Sequence, residues 1–246
     1  KLLDDNKSIF KSLRIKKDYT IIEIFSKGQI LGIDYIKDIN NLNRDIKINR
    51  TYIINYLIKK YNLKNYLEIG VRNGKNFNNI IIKNKIGVDP EPIDKIKDYK
   101  NIKVMTSDNY FISNNIKFDI IFIDGLHLEE QVDKDIINSL KVLNDNGYII
   151  MHDCNPPTKF HQRINYELKN GETPFWNGTV WRSYVKLRMN NNNLNMSVVN
   201  CDWGVGIIQK GNQKCIKTKD LKYNLLNEDR ENILNLISPY EFLNNF

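Results

Sequence analysis

Tyr66-Leu-Glu-Ile-Gly70-Val-Arg-Asn-Gly74 is the stretch on which the fold turns. A short apolar run ends in a turn that carries two glycines. Such a run, closed by turn residues, reads as a buried strand. A glycine turn behind a first strand lets backbone come close to a ligand, with the N–H groups of the next helix start facing it. Only two of the three glycines of a dinucleotide fingerprint are present, and Arg72 takes the middle place. Taken alone, Gly70 and Gly74 are also accounted for by ordinary turn chemistry.

The sequence downstream supplies the context. Ile86-Gly-Val88, Ile102-Lys-Val-Met105, Phe118-Asp-Ile-Ile-Phe-Ile123 and Tyr148-Ile-Ile-Met151 are further apolar runs. They read as strands buried on both faces, hence parallel. Helical material separates most of them. Leu128, Val132, Ile136, Leu140 and Leu143 recur at three- and four-residue spacing on one helix face. Asn146-Gly147 reads as the turn that ends this unit. Met196-Ser-Val-Val-Asn-Cys201 and Val205-Gly-Ile-Ile-Gln209 then follow each other across Asp202-Trp203-Gly204. So short a link forces an antiparallel pair, because a parallel crossover needs a dozen residues or more. The expected fold is α/β and Rossmann-like: a mostly parallel seven-stranded sheet with an antiparallel C-terminal hairpin and helices on both faces.

The domain plan puts an N-terminal preamble over 1–60, helical or mixed, with a helix through Tyr52–Ile58. The main domain follows over 61–211 and an amphipathic tail over 212–246. The tail is expected to pack on the domain edge or to form an interface, and a homo-oligomer is a candidate assembly.

Hydrophobic residues make up 41% of the 246 and charged residues 27%, enough for a packed core. No apolar run is long enough to span a membrane. Cys154, Cys201 and Cys215 have no CxxC spacing, so neither a disulfide framework nor a structural zinc site is expected. The expected location is cytoplasmic. The net charge of +8 admits an acidic partner, but the lysines are spread along a chain rich in Ile, Asn, Lys and Tyr. Codon bias gives that mixture without selection for nucleic-acid binding.

Three successive strand ends carry candidate donor-binding groups. Glu68, Gly70 and Gly74 belong to the first. Asp89 ends the second, about 20 residues on, where an acidic side chain holds ribose hydroxyls; a helix cap before Pro90 is the plainer explanation for it. Ser107 and Asp108 follow the third, where an adenine amine can be met. The runs YLEIGVRNGKNF, IGVDPEP, FDIIFIDGLH, YIIMHDCNPPT and WNGTVWRSYVKLR together resemble the type 24 family of class I S-adenosylmethionine-dependent methyltransferases. They are also similar to sugar O-methyltransferases acting on macrolide sugars, and more distantly to catechol-type O-methyltransferases. The resemblance covers roughly 61–210. It implies S-adenosyl-L-methionine as cofactor, with Glu68 suited to its cationic amino-acid end.

The fourth strand ends in Asp124-Gly-Leu-His127 and the fifth in His152-Asp153-Cys-Asn155-Pro-Pro-Thr158. In an open parallel sheet these ends converge beside the ligand. Methylating a hydroxyl requires removal of a proton, which a neutral imidazole can accept or a divalent metal can make more acidic. The resemblance implies His127 as base and Asp124 as its catalytic partner bordering the donor. It further implies Asp124 and Asp153 as ligands of magnesium or manganese. Metal-binding relatives have an acidic residue where this chain has His152, also a candidate ligand, and imidazole suits manganese, iron or zinc better than magnesium; either the metal differs, His152 is not a ligand, or there is no metal. Asn155 can supply an amide oxygen. His161, Gln162 and Arg163 are candidates for the acceptor pocket. Trp181 reads as core, whereas Trp176 fits either a stacking surface or the core.

The expected activity is methyl transfer to a hydroxyl of a small molecule, with a sugar, nucleotide-sugar or glycan ahead of a phenol. The alternative is an RNA methyltransferase, which the absence of an appended RNA-binding or zinc motif disfavours.

Overall fold

The computed structural model describes residues 48–167, 175–218 and 220–246, together with the backbone of four short strands before them. The chain divides into two compact units, Lys1–Ile48 and Asn49–Phe246. In the first, β1 (Tyr19–Ile21) pairs antiparallel with β4 (Asp34–Ile36), and β2 (Ile24–Ser26) with β3 (Gln29–Leu31).

The second unit opens with α1 (Arg50–Tyr61). The Asn49 side chain caps it by accepting from the Tyr52 N–H at 3.0 Å, and Lys59 and Lys60 lie at the negative end of its dipole. Asn62 ends it in a left-handed conformation. Ile53, Ile54 and Leu57 are fully buried.

The strands that follow are β5 (Asn65–Ile69), β6 (Asn84–Asp89), β7 (Ile102–Val104), β8 (Phe118–Ile123), β9 (Leu143–Met151), β10 (Leu194–Val199), β11 (Val205–Lys210) and β12 (Leu236–Ile237). They form one sheet in the order β12-β10-β11-β9-β8-β5-β6-β7. β5, β6, β7, β8 and β9 run parallel, and β11 lies antiparallel to both β9 and β10. This is the Rossmann-like plan expected, with eight strands instead of seven. The extra one is β12, two residues of the tail that pair with β10. Asn146-Gly147 is not a turn before the fifth parallel strand: β9 already starts at Leu143, and the register shift against β8 takes up the extra residues.

The helices between the strands are α2 (Lys75–Asn79), α3 (Asp94–Lys97), α4 (Ser107–Ser113), α5 (Glu129–Val142) and α6 (Val180–Asn190). Val132 and Ile136 of α5, with Trp181 and Tyr184 of α6, are buried in the core. The tail adds α7 (Tyr223–Glu228), α8 (Arg230–Leu234) and α9 (Pro239–Asn245). Phe242 packs edge-on against Tyr56 of α1 at 5.2 Å, so the tail covers the sheet edge and α1. Among the described residues no helix is long and apolar enough to cross a membrane.

The chain runs from β5 outward through β6 and β7, then returns to the other side of β5 as β8. Strand order therefore reverses between β5 and β8, where an open α/β sheet forms its ligand crevice.

Candidate active site

The glycine turn lies at this reversal. Gly70 has φ +86°, and a Cβ there would stand 2.0 Å from the backbone oxygen of Asp124. Only glycine lets β5 and β8 end so close together. Arg72 and Gly74 are also left-handed. Asp89 shapes the turn from the neighbouring strand: its two oxygens accept the N–H groups of Arg72 at 2.7 Å and Glu91 at 2.8 Å. Each carboxylate oxygen still has a lone pair for a further donor.

Glu68 is 1% exposed below the turn. Tyr66 Oη donates to it, and Asn76 Nδ2 donates at 2.9 Å. Burial pushes its carboxyl up to about 7, although these bonds pull the other way. Ser107 donates to Asp135 at 2.6 Å, and Gln131 bridges Ser107, Asp108 and Asp135. Burial raises the Asp135 carboxyl to about 6, while the bond from Gln131 lowers that of Asp108.

On the other side of the reversal, Asp124, His127, His152 and Asp153 come together. His152 Nδ1 lies 3.1 Å from Asp124 Oδ1 and 2.9 Å from Asp153 Oδ2. His127 Nε2 is 3.3 Å from Asp124 Oδ1, and its Nδ1 is 3.4 Å from Asp153 Oδ2 and 3.2 Å from the Trp176 carbonyl. A carbonyl and a carboxylate only accept, so Nδ1 of His127 carries a proton; Nε2 faces the Asp124 carboxylate, which also only accepts, so it is the nitrogen at which a second proton is gained or lost. Burial alone would lower the His127 pKa, but the Asp124 bond and both carboxylate charges raise it. Burial would likewise raise Asp124, yet the two imidazoles hold it far below the usual carboxylate range. Asp153 itself is left-handed at φ +60°, an uncommon conformation that Asp tolerates better than most residues.

Asp124, His152 and Asp153 each offer a ligand atom within 4.8 Å of the others. Two carboxylates and an imidazole fit a divalent cation of borderline character, such as manganese, better than magnesium.

Residues 67–154 match the family model described as a methyltransferase domain. This stretch is a methyltransferase domain. Among solved structures, the chain is similar to the SAH-bound methyltransferase PaMTH1 of Podospora anserina, with 16% identity over 66% of this chain and 78% of that one, at a TM-score of 0.50. That likeness shows the class I methyltransferase fold. An O-methyltransferase from Bacillus cereus, in complex with SAH, is 14% identical over 70% of this chain and 87% of its own, at a TM-score of 0.46. The O-methyltransferase TomG from Streptomyces achromogenes is 10% identical over 85% and 97%, at 0.48. No curated protein matches the chain.

Two further residues enter this site of the methyltransferase domain from outside the matched stretch. Arg50, the first residue of α1, puts Nη1 2.6 Å from His152 Nε2 and 3.2 Å from Asp202 Oδ1 and Oδ2. Asp202 belongs to the β10–β11 turn, where Asp202, Trp203 and Gly204 are all left-handed. Asp124 and Asp153 raise the His152 pKa well above the ordinary range against burial. Arg50 opposes them: its N–H can only donate, so in this geometry Nε2 of His152 keeps a lone pair and the ring holds its proton on Nδ1.

Asn155 is not brought in. Its amide oxygen accepts from Arg230, and its nitrogen donates to Asn200 at 3.2 Å. Gln162 is buried and accepts from Trp181 at 3.1 Å, a packing role. Arg163 donates to the carbonyls of Phe160 and Phe175. His161 stacks on Trp203 at 5.6 Å, and Phe175 lies 5.2 Å from the same indole, which makes an aromatic wall beside Asp202.

Proposed function

We propose that the chain transfers a methyl group from S-adenosyl-L-methionine to a hydroxyl of a small molecule, a sugar, nucleotide-sugar or glycan, in a site that takes a divalent cation. One observation carries this reading: the Asp124–His127–His152–Asp153 cluster stands at the strand ends immediately beside the Gly70 turn. The methyl donor and a proton acceptor then share one crevice.

S-adenosylmethionine, when bound, supplies an electrophilic methyl group. The chain's own residues do the rest. Asp89 receives the ribose hydroxyls, and Glu68 faces the cationic amino-acid end. His127 takes the hydroxyl proton at Nε2. Its Nδ1–H is held by the Trp176 carbonyl and Asp153, and Asp124 stabilises the resulting imidazolium, the division of labour expected of a base–carboxylate pair. Asp124, His152 and Asp153 would hold the cation, which would take the place of the His152 Nδ1 proton between the two carboxylates and would acidify an acceptor hydroxyl. It would also offset the carboxylate charges that favour a protonated His127. The aromatic wall of His161, Phe175 and Trp203 suits the face of a sugar ring.

Calorimetry with S-adenosylhomocysteine tests the donor half. Saturable binding is expected, and Asp89→Ala should weaken it through loss of two bonds worth about 1.5–3 kcal/mol each. Unchanged affinity in Asp89→Ala removes Asp89 from the site, and no binding by the wild-type chain removes the methyltransferase reading.

A further inference from the structure

The run Trp176-Asn177-Gly178-Thr179 enters α6 from outside the matched stretch, and every one of its residues engages the acid–imidazole cluster or the backbone that carries it. The Trp176 indole stacks on His127 at 5.1 Å and 23°, while its carbonyl takes the His127 Nδ1–H. The indole is itself anchored by Nε1 donating to the Arg163 carbonyl at 2.6 Å. Asn177, 1% exposed, donates from Nδ2 to Asp153 Oδ1 at 2.7 Å. Gly178 has φ +58°, and a Cβ there would meet the His127 backbone oxygen at 2.0 Å. Thr179 completes the contact: its N–H donates to that same oxygen at 2.8 Å, and its hydroxyl accepts from the Glu129 N–H at 2.7 Å.

A packing role alone would ask only for apolar bulk before the helix. Here the contacts are directional, and they end on the two side chains whose orientation matters most. Asp153 sits in a left-handed conformation, which persists only where its surroundings over-determine it. The Asn177 amide fixes one carboxylate oxygen, so the other is turned to His152 and His127. The Trp176 carbonyl fixes which nitrogen of His127 bears the proton, and the indole fixes the plane of the ring. The Asn177 Oδ1 is buried and has no partner among the described residues, so this amide is committed by its nitrogen alone.

We propose that Trp176-Asn177-Gly178-Thr179 is a positioning clamp that sets the tautomer and plane of His127 and the rotamer of Asp153. The proposal rests on the methyltransferase reading for what the clamped groups do. The clamp itself is a claim about side-chain order and can be tested without an acceptor.

The chain has three histidines, His127, His152 and His161, so single substitutions assign every imidazole signal in a nitrogen-correlated NMR spectrum. Trp176→Leu should speed solvent exchange of the His127 Nδ1–H by roughly tenfold or more, and Trp176→Phe, which keeps a flat ring, should largely restore it. Exchange rate is the readout because loss of an indole changes chemical shifts trivially. Asn177→Ala should move the His152 ring signals, since the released Asp153 lies 2.9 Å from His152 Nδ1. It should also weaken manganese(II) binding, measured with the metal alone, by about 10–100-fold, the usual effect of losing a group that orients a metal ligand. S-adenosylhomocysteine affinity should stay within about twofold in all three variants. Wild-type ring exchange in Trp176→Leu, together with unmoved His152 signals in Asn177→Ala, overturns the clamp. If Trp176→Leu does not fold, Asn177→Ala decides by the His152 signals. Should wild-type protein bind no S-adenosylhomocysteine or no manganese, the functional reading fails while the ring signals still judge the clamp.

Discussion

Glu68→Gln should make the protein more stable and a poorer binder of its methyl donor. The wild-type carboxyl is 1% exposed and held at about 7 instead of its ordinary 4.5. At 1.36 kcal/mol per pKa unit, its ionised form costs the fold about 3 kcal/mol. A raised carboxyl pKa means that the stabilisation is fully present below about 4.5 and is lost as pH rises through about 7. Gln keeps the shape and offers an oxygen to the two donors, Tyr66 Oη and Asn76 Nδ2. The two proteins should therefore melt together near pH 4.5 and diverge above it. At pH 8 Glu68→Gln should be ahead by up to about 3 kcal/mol, roughly 6–12 °C for a domain of this size. Urea titrations at pH 4.5, 6 and 8 measure the gap. Calorimetry of the same pair with S-adenosylmethionine should show affinity reduced about 10- to 150-fold, the worth of one bond to a charged group. A stability gap that does not grow with pH, or a gap with donor affinity intact, refutes the idea that Glu68 is kept buried and ionisable for the donor's ammonium.

His127→Ala should lower turnover by roughly 10²–10⁴, the range of general base catalysis, with S-adenosylhomocysteine affinity nearly unchanged in calorimetry; wild-type turnover would move the base elsewhere. Chelator should abolish activity, and manganese should restore it more fully than magnesium; full activity with no metal by elemental analysis leaves a metal-free mechanism. Gly70→Ala should cost at least about 2 kcal/mol in a urea titration, because its φ is +86° and the new Cβ would meet the Asp124 backbone at 2.0 Å.

The parallel strands are legible because all but the edge strand β7, where Lys103 and Val104 are exposed, bury a run of residues on both faces and so appear as apolar runs, and the hairpin because a three-residue link permits no other pairing. The Asp124–His127 and His152–Asp153 groups are legible because strand ends at a sheet reversal fix where side chains gather. Arg50 leaves no such trace. It lies 102 residues from His152 along the chain and reaches it through the packing of α1. Asp202 is visible only as part of a short link, and nothing local says that three left-handed residues turn its carboxylate towards His152. β12 is too short, at two residues, to carry a period. Asn155 follows the strand-end groups and reads as a ligand by position, but Arg230 from the tail claims its oxygen, a competition that only the tertiary structure reveals.

The central claim is transfer of a methyl group to an oxygen. Incubation of the protein and manganese with S-adenosylmethionine carrying a carbon-13 methyl group, against a panel of sugars and nucleotide-sugars, tests it most directly. The account predicts a labelled O-methyl signal in one acceptor, a mass gain of one methylene, and an equal amount of S-adenosylhomocysteine. A mass gain of one oxygen, a label on nitrogen, or labelling confined to added RNA would contradict it.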